Sequence, residues 1–238
     1  NKNPGLQPWI FFDQISGMKK NILIFGYGDL AKRLNLITNE SLYQIFGVSR
    51  TKKESIKDNH VSWDWLSKKN PRLDVKDFDS IIFVPKPSSF DEDGYKDGFI
   101  KSAENIFSFS KEITFNKFIS ISSTRVYGKT KKDLHYETDV LMPDDFRGKI
   151  IRDYESNQIE RYSNKLIILR LAGLYDSMTD MNFVNHLNRD NASKIINFFI
   201  EKNLSFNSYE IFNCCEDRED GKGTISNKKL KEVGFIFN

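Results

Sequence analysis

The chain alternates between short runs that are apolar throughout and longer stretches with helical spacing of apolar positions. Residues 21–25 (NILIF), 43–48 (YQIFGV), 60–63 (HVSW), 80–84 (SIIFV), 117–121 (KFISI), 166–171 (LIILRL) and 210–213 (EIFN) read as strands. Between the first two, residues 29–38 place Leu30, Leu34 and Ile37 on one helical face. Residues 100–112, 149–164, 193–202 and 228–233 also read as helices. Strands without polar alternation are covered on both faces, and helices between them imply parallel neighbours. The pattern therefore predicts an α/β protein: a Rossmann-like, doubly wound parallel sheet of about seven strands with a small C-terminal lobe. Residues 1–17, with Trp9-Ile10-Phe11-Phe12, precede the first strand and are expected to be an extension outside the fold. They lack the basic start and long apolar stretch of a secretory signal. Residues 18–238 are expected to form one domain, with 176–238 as the reduced lobe.

Composition narrows the picture. A length of 238 residues suits one α/β domain, and 39% hydrophobic with 29% charged residues suits a globular chain. Lys+Arg exceed Asp+Glu by only 36 to 33, too small a surplus to predict a nucleic-acid or membrane surface. No apolar run approaches the roughly 18 residues of a membrane span. Cys214 and Cys215 are adjacent and no CxxC exists, which argues against a disulfide framework or a structural zinc and fits a reducing, cytoplasmic setting. His60, His135 and His186 are scattered without metal-ligand spacing, so no metal is expected.

The clearest chemistry is Gly26-Tyr27-Gly28-Asp29-Leu30-Ala31, a G-x-G-x-x-A between the first strand and the first helix. Gly26 permits a tight turn, Gly28 lets a pyrophosphate approach the backbone, and Ala31 lets helix and strand pack closely. The helix N-terminus adds free N–H groups and a positive dipole. The second strand runs into Ser49-Arg50-Thr51-Lys52-Lys53. An acidic residue there would favour NAD; Ser49, Arg50 and Thr51 instead suit a 2′-phosphate, so NADP is expected, with NAD as the alternative. A solvated basic turn is the bland reading of the same residues. Asp64 either accepts a bond from the adenine amine or caps the next short helix.

These residues, with residues 119–128 (ISISSTRVYG), resemble the extended short-chain dehydrogenase/reductase superfamily, the NAD(P)-dependent epimerase/dehydratase group. The likeness covers about residues 19–238. Residues 122–128 (SSTRVYG) resemble its fifth-strand signature, with Ser123 at the active-site serine. Residues 169–175 (LRLAGLY) resemble its sixth-strand segment, which approaches the nicotinamide. Arg189-Asp190 is similar to its H-x-x-D segment, and residues 224–235 to the ending of its small, YeeZ-like members. The resemblance implies that Val84, Ser122 and Arg170 also line the cofactor.

Family enzymes carry Tyr-x-x-x-Lys about 25 residues after that serine; the Tyr donates a proton to a carbonyl and the Lys lowers its pKa. Aligned on Glu155, this chain has Arg147 and Ile151 there; shifted by one, Gly148 and Arg152. The literal match Tyr127…Lys131 lies only four residues after Ser123. Tyr127 and Tyr154 are the substitute donors to weigh, against the plainer reading of Tyr154 as a packed core residue. Residues 133–146, with His135, Glu137, Asp139, Asp144 and Asp145, either border the substrate cleft or form an exposed acidic loop. The expectation is an NADP-dependent oxidoreductase or epimerase-like enzyme on a small carbonyl or sugar-like substrate. A non-catalytic dinucleotide-binding redox sensor or partner-binding scaffold is the alternative. With so little chain after Tyr175, the pocket would be small, open, or completed by a partner such as a second copy in a homo-oligomer.

Overall fold

The computed structural model describes residues 18–51, 59–67, 69–129, 134–177, 183–202, 207–218 and 221–237. The expectations for residues 1–17, Lys52, Lys53 and Lys131 lie outside them. Seven strands form one parallel sheet: β1 (Lys20–Phe25), β2 (Tyr43–Ser49), β3 (His60–Ser62), β4 (Asp77–Phe83), β5 (Thr114–Ser123), β6 (Leu166–Leu171) and β9 (Glu210–Cys214). Their order is β3-β2-β1-β4-β5-β6-β9. The chain winds outward from β1 to β3, then restarts at β4 on the other side of β1. The strand order reverses between β1 and β4, and their carboxyl ends open the crevice where such sheets take ligands. Helix α1 (Asp29–Ile37) packs on α5 (Arg189–Glu201). On the opposite face, α2 (Glu92–Tyr95), a π-helical turn (Lys96–Lys101) and α3 (Ser102–Ser110) pack on α4 (Phe146–Tyr162). A short α6 (Lys228–Glu232) closes the chain.

Three helices start earlier than apolar spacing predicts, each behind a polar cap. Asp91 accepts from the Gly94 N–H, Asp145 from Gly148, and Asn188 from Asp190. Each cap satisfies an N–H that the helix itself cannot. A second, two-stranded sheet of β7 (Gly173–Tyr175) and β8 (His186–Asn188) is also new. Ile22, Ile24, Ile81, Phe118, Ile168 and Phe212 run across the sheet's interior and are essentially solvent-free. No helix of the described residues is long and apolar enough to cross a membrane.

Candidate functional site: the crevice at the ends of β1, β4 and β5

Gly26 turns the chain out of β1 with φ +89°, and a Cβ there would lie 2.3 Å from the Val84 carbonyl. Its N–H and that of Tyr27 donate to the Val48 carbonyl at 3.0 and 3.1 Å. The loop is thus pinned between β2 and β4, and Val84 is part of the pin. Tyr27 is buried, its ring edge-on to His60, and packs the loop against the start of β3. Gly28 behaves differently: a Cβ there meets nothing nearer than the Gly26 carbonyl at 3.8 Å. The first turn of α1 closes from Lys32 N–H to Gly28 at 3.0 Å, and no side chain caps it. The first-turn N–H groups of Asp29, Leu30 and Ala31 have no carbonyl partner within the helix itself. A pyrophosphate fits this cradle, since Gly28 leaves room for it and the helix start supplies donors.

Asp29 places a carboxylate beside that cradle. It accepts from Arg33 Nε at 3.2 Å and from Arg189 Nη1 at 3.1 Å. Arg33 also reaches Asp190 at 2.6 Å and Asp176 at 2.7 Å. Burial alone would raise the Asp29 pKa, but the bonds from Arg189 and Arg33 outweigh it and hold the carboxyl low. This ring joins the loop to α5 and to the end of β7. The sequence pointed to Asp29 but not to Arg189, 160 residues further on, nor to Asp176 and Asp190, 143 and 157 residues beyond Arg33.

At the end of β2, Ser49 is buried, donates to the Thr51 carbonyl at 2.7 Å and lies 2.8 Å from His60 Nε2. Its hydroxyl shapes the turn, while Arg50 and Thr51 stay exposed. Asp64 accepts from the Leu66 N–H at 3.1 Å and closes a turn over residues 65–67, where the sequence suggests a short helix.

Register aligns Ser122 with Arg170 and Arg170 with Asn213 across β5, β6 and β9. This row is a closed polar network in which the Ser122 and Arg170 side chains bond to other residues of the chain. Arg170 donates to Glu155 through Nε at 3.0 Å and Nη2 at 2.8 Å, and through Nη1 to the Tyr127 hydroxyl at 2.8 Å. Ser122 donates to Glu155 at 2.5 Å. The Tyr127 hydroxyl lies 2.8 Å from the Asn213 side-chain oxygen. Glu155, on α4, is the partner that sequence reasoning used only as an alignment marker. Its signal was a carboxylate on the helix face that also carries Ile151, Gln158 and Tyr162.

Neither candidate phenol opens to the crevice. Tyr127 is 1% exposed, and burial pushes it up to about 12 despite the Arg170 charge. Tyr154 is fully buried, 2.5 Å from the Ser120 hydroxyl, and burial raises its pKa still further. Both rings belong to the core and its polar network. Ser123 is half-buried at the end of β5, where its Oγ accepts from the Arg125 N–H at 3.2 Å. Arg147 is half-buried in the first turn of α4, and Ile151 is buried one turn on. The segment before α4 is not a free acidic loop. His135 exchanges backbone bonds with Thr224 and Ser226, and Glu137 accepts from the Asn213 N–H at 2.8 Å. Cys214 and Cys215 are free thiols, buried, and raised in pKa by that burial.

Comparison with known protein-family models and with curated sequences gives no match. Solved structures do share the architecture. A protein of Methylobacillus flagellatus bearing the name NAD-dependent epimerase/dehydratase aligns with TM-score 0.69 and 14% identity, over 92% of this chain and 93% of its own. UDP-glucuronic acid 4-epimerase from Bacillus cereus, solved in complex with NAD, aligns with TM-score 0.65 and 18% identity, over 83% and 79%. A Burkholderia cenocepacia protein named as an epimerase aligns with TM-score 0.67 and 11% identity, over 91% and 92%. The chain has the fold of epimerase/dehydratase-type Rossmann proteins.

Proposed function

We propose that this chain is an NAD(P)-binding protein of the epimerase/dehydratase type that prefers NADP. The observation that carries the reading is the Gly26–Gly28 turn, pinned to β2 and β4 while an uncapped α1 opens at the switch point. Structural neighbours solved with NAD support a nicotinamide dinucleotide. Arg50, exposed where an NAD site would carry a carboxylate, favours the 2′-phosphate. Ser123 would hydrogen-bond a substrate oxygen at the end of β5. The substrate class that fits is a small carbonyl or sugar-like compound.

The test is titration with NADPH and then NADH. Trp63 stacks edge-on to Phe25, the residue before the loop, at 6.0 Å between ring centres, so its emission should transfer to a bound nicotinamide. Tighter NADPH binding that Arg50→Gln abolishes supports the reading; equal binding of both removes the NADP preference, and no binding removes the reading itself. Turnover of NADPH with aldehydes and ketones, lost in Ser123→Ala, would establish an enzyme. The burial of Tyr127 and Tyr154 favours a second reading, a redox sensor or scaffold that binds the dinucleotide without hydride transfer. Binding without turnover would select it.

A further inference from the structure

Arg147 has no ion-pair partner among the described residues. Arg125 is paired with Asp145 at 2.7 Å and Arg152 with Asp153 at 2.9 Å. Arg147 instead sits over two rings, 5.6 Å from the centre of Tyr95 and 5.5 Å from Phe146. Among the described residues its side chain makes one hydrogen bond, a long one, from Nη2 to the Phe90 carbonyl at 3.5 Å. The Asp145 carboxyl feels its charge but is held by Arg125 and the Gly148 N–H. A half-buried guanidinium is costly to desolvate, and an apolar side chain would fill the same space without that cost. The two rings hold the guanidinium by cation–π contact and leave donors of its fork for a ligand.

The position is at the crevice. The next residue, Gly148, abuts the Arg125 carbonyl, 2.9 Å from where its Cβ would be, in the turn that Ser123 caps. Phe90 ends the loop that leaves β4 at Val84 and is 77% exposed. We propose that Arg147 is the receptor for an oxyanion, a carboxylate or a phosphate, on the small substrate of this site. The proposal rests on the dinucleotide-binding reading for its placement of the substrate, but its test does not depend on dinucleotide binding. A planar fork pairs with either oxyanion through two parallel N–H bonds, which a neutral carbonyl compound cannot offer. The substrate class narrows to acids or phosphorylated compounds.

The experiment follows the Arg147 Nε–Hε resonance in ¹⁵N-labelled protein, identified by its loss in Arg147→Lys. The probes are inorganic phosphate and malonate, with sodium chloride at matched ionic strength as reference. A saturable shift with either oxyanion is expected, and Arg147→Gln should weaken that binding, read on the Gly148 amide, by about tenfold or more. Phosphate preference points to a phosphorylated substrate, and malonate preference to a carboxylic acid. A shift no larger than chloride gives overturns the proposal. NADPH affinity, measured separately by tryptophan emission, should survive Arg147→Gln. A saturable shift without NADPH binding would keep the oxyanion site and remove the dinucleotide reading.

Discussion

Arg170 on β6 and Glu155 on α4 form an ion pair at 2.8 Å in which both side chains are only 2% exposed. Every nitrogen of the guanidinium is bonded within the protein, and Ser122 takes up further capacity of the carboxylate. The pair holds α4 to the sheet beneath the crevice. Removing one partner leaves a buried charge alone, which costs about 3–5 kcal/mol. Glu155→Leu and Arg170→Met should each lower the urea midpoint by that measure. The double variant should recover most of the loss, because two apolar groups restore neutrality. If the double variant is as unstable as the sum of the singles, the pair is not the unit described.

The phenols of Tyr127 and Tyr154 carry a related prediction. Tyr127→Phe strips Arg170 and Asn213 of a buried partner, and Tyr154→Phe strips Ser120. Each should cost about 1–3 kcal/mol in thermal or urea unfolding. NADPH affinity should be unchanged, since neither ring faces the cradle. A variant of normal stability with lost NADPH-dependent turnover would return that tyrosine to the chemistry.

The two loop glycines should separate fold from ligand. Gly26→Ala meets a left-handed backbone and the Val84 carbonyl, so stability should fall by more than about 2 kcal/mol. Gly28, at φ −106°, tolerates a side chain, and Gly28→Ala should shift unfolding by less than about 1 kcal/mol. Its methyl group would instead fill the space a pyrophosphate needs. Calorimetry beside NADPH titration checks this: if Gly28→Ala binds NADPH normally, the cradle is misassigned.

Acid should act partly through Asp145. Burial opposes ionisation there, but the Gly148 N–H and the Arg125 charge together hold the pKa below the ordinary 3.8. The folded pKa is depressed, so its stabilisation is full above 3.8 and is lost as pH falls through the lower folded value. Asp145→Asn keeps a cap on α4 and removes the charge. The variant should be less stable than wild type near neutrality, and the gap should close as pH falls below 3.8. A gap that is constant with pH would mean the charge contributes nothing.

The sheet was legible because its signals are local. A run such as LIILRL needs two covered faces wherever it lies, and Gly26 and Gly28 mark their turn by side-chain absence. The caps at Asp91, Asp145 and Asn188 were equally local and would have set the helix starts. The site chemistry was not local. Arg170 inside an apolar strand gives no sign of Glu155 one helix away, and residues 133–146 read as either a border of the cleft or an exposed acidic loop because the partners of His135 and Glu137 are Asn213 and residues 224–226, far along the chain. The strands β7 and β8 are three residues each, too short for any period to show.

The ring around Asp29 gives the last prediction. Arg33 and Arg189 face three carboxylates, Asp29, Asp176 and Asp190, so the cluster keeps a net negative charge beside the cradle. A dinucleotide brings further negative charge to the same place. Removing the Asp29 carboxylate relieves that repulsion and leaves Arg189, about one-third exposed, paired only with Asp176 at 3.3 Å, so its Nη1 can turn toward the phosphates. Asp29→Asn should therefore tighten NADPH binding, and Arg189→Gln should weaken it. Both effects should shrink at high salt, because partly exposed charges are screened over about 10 Å. Titrations at low and high salt decide the matter. If Asp29→Asn weakens binding, the carboxylate is holding Arg33 and the helix start in place, and its role in the loop is to position rather than to repel.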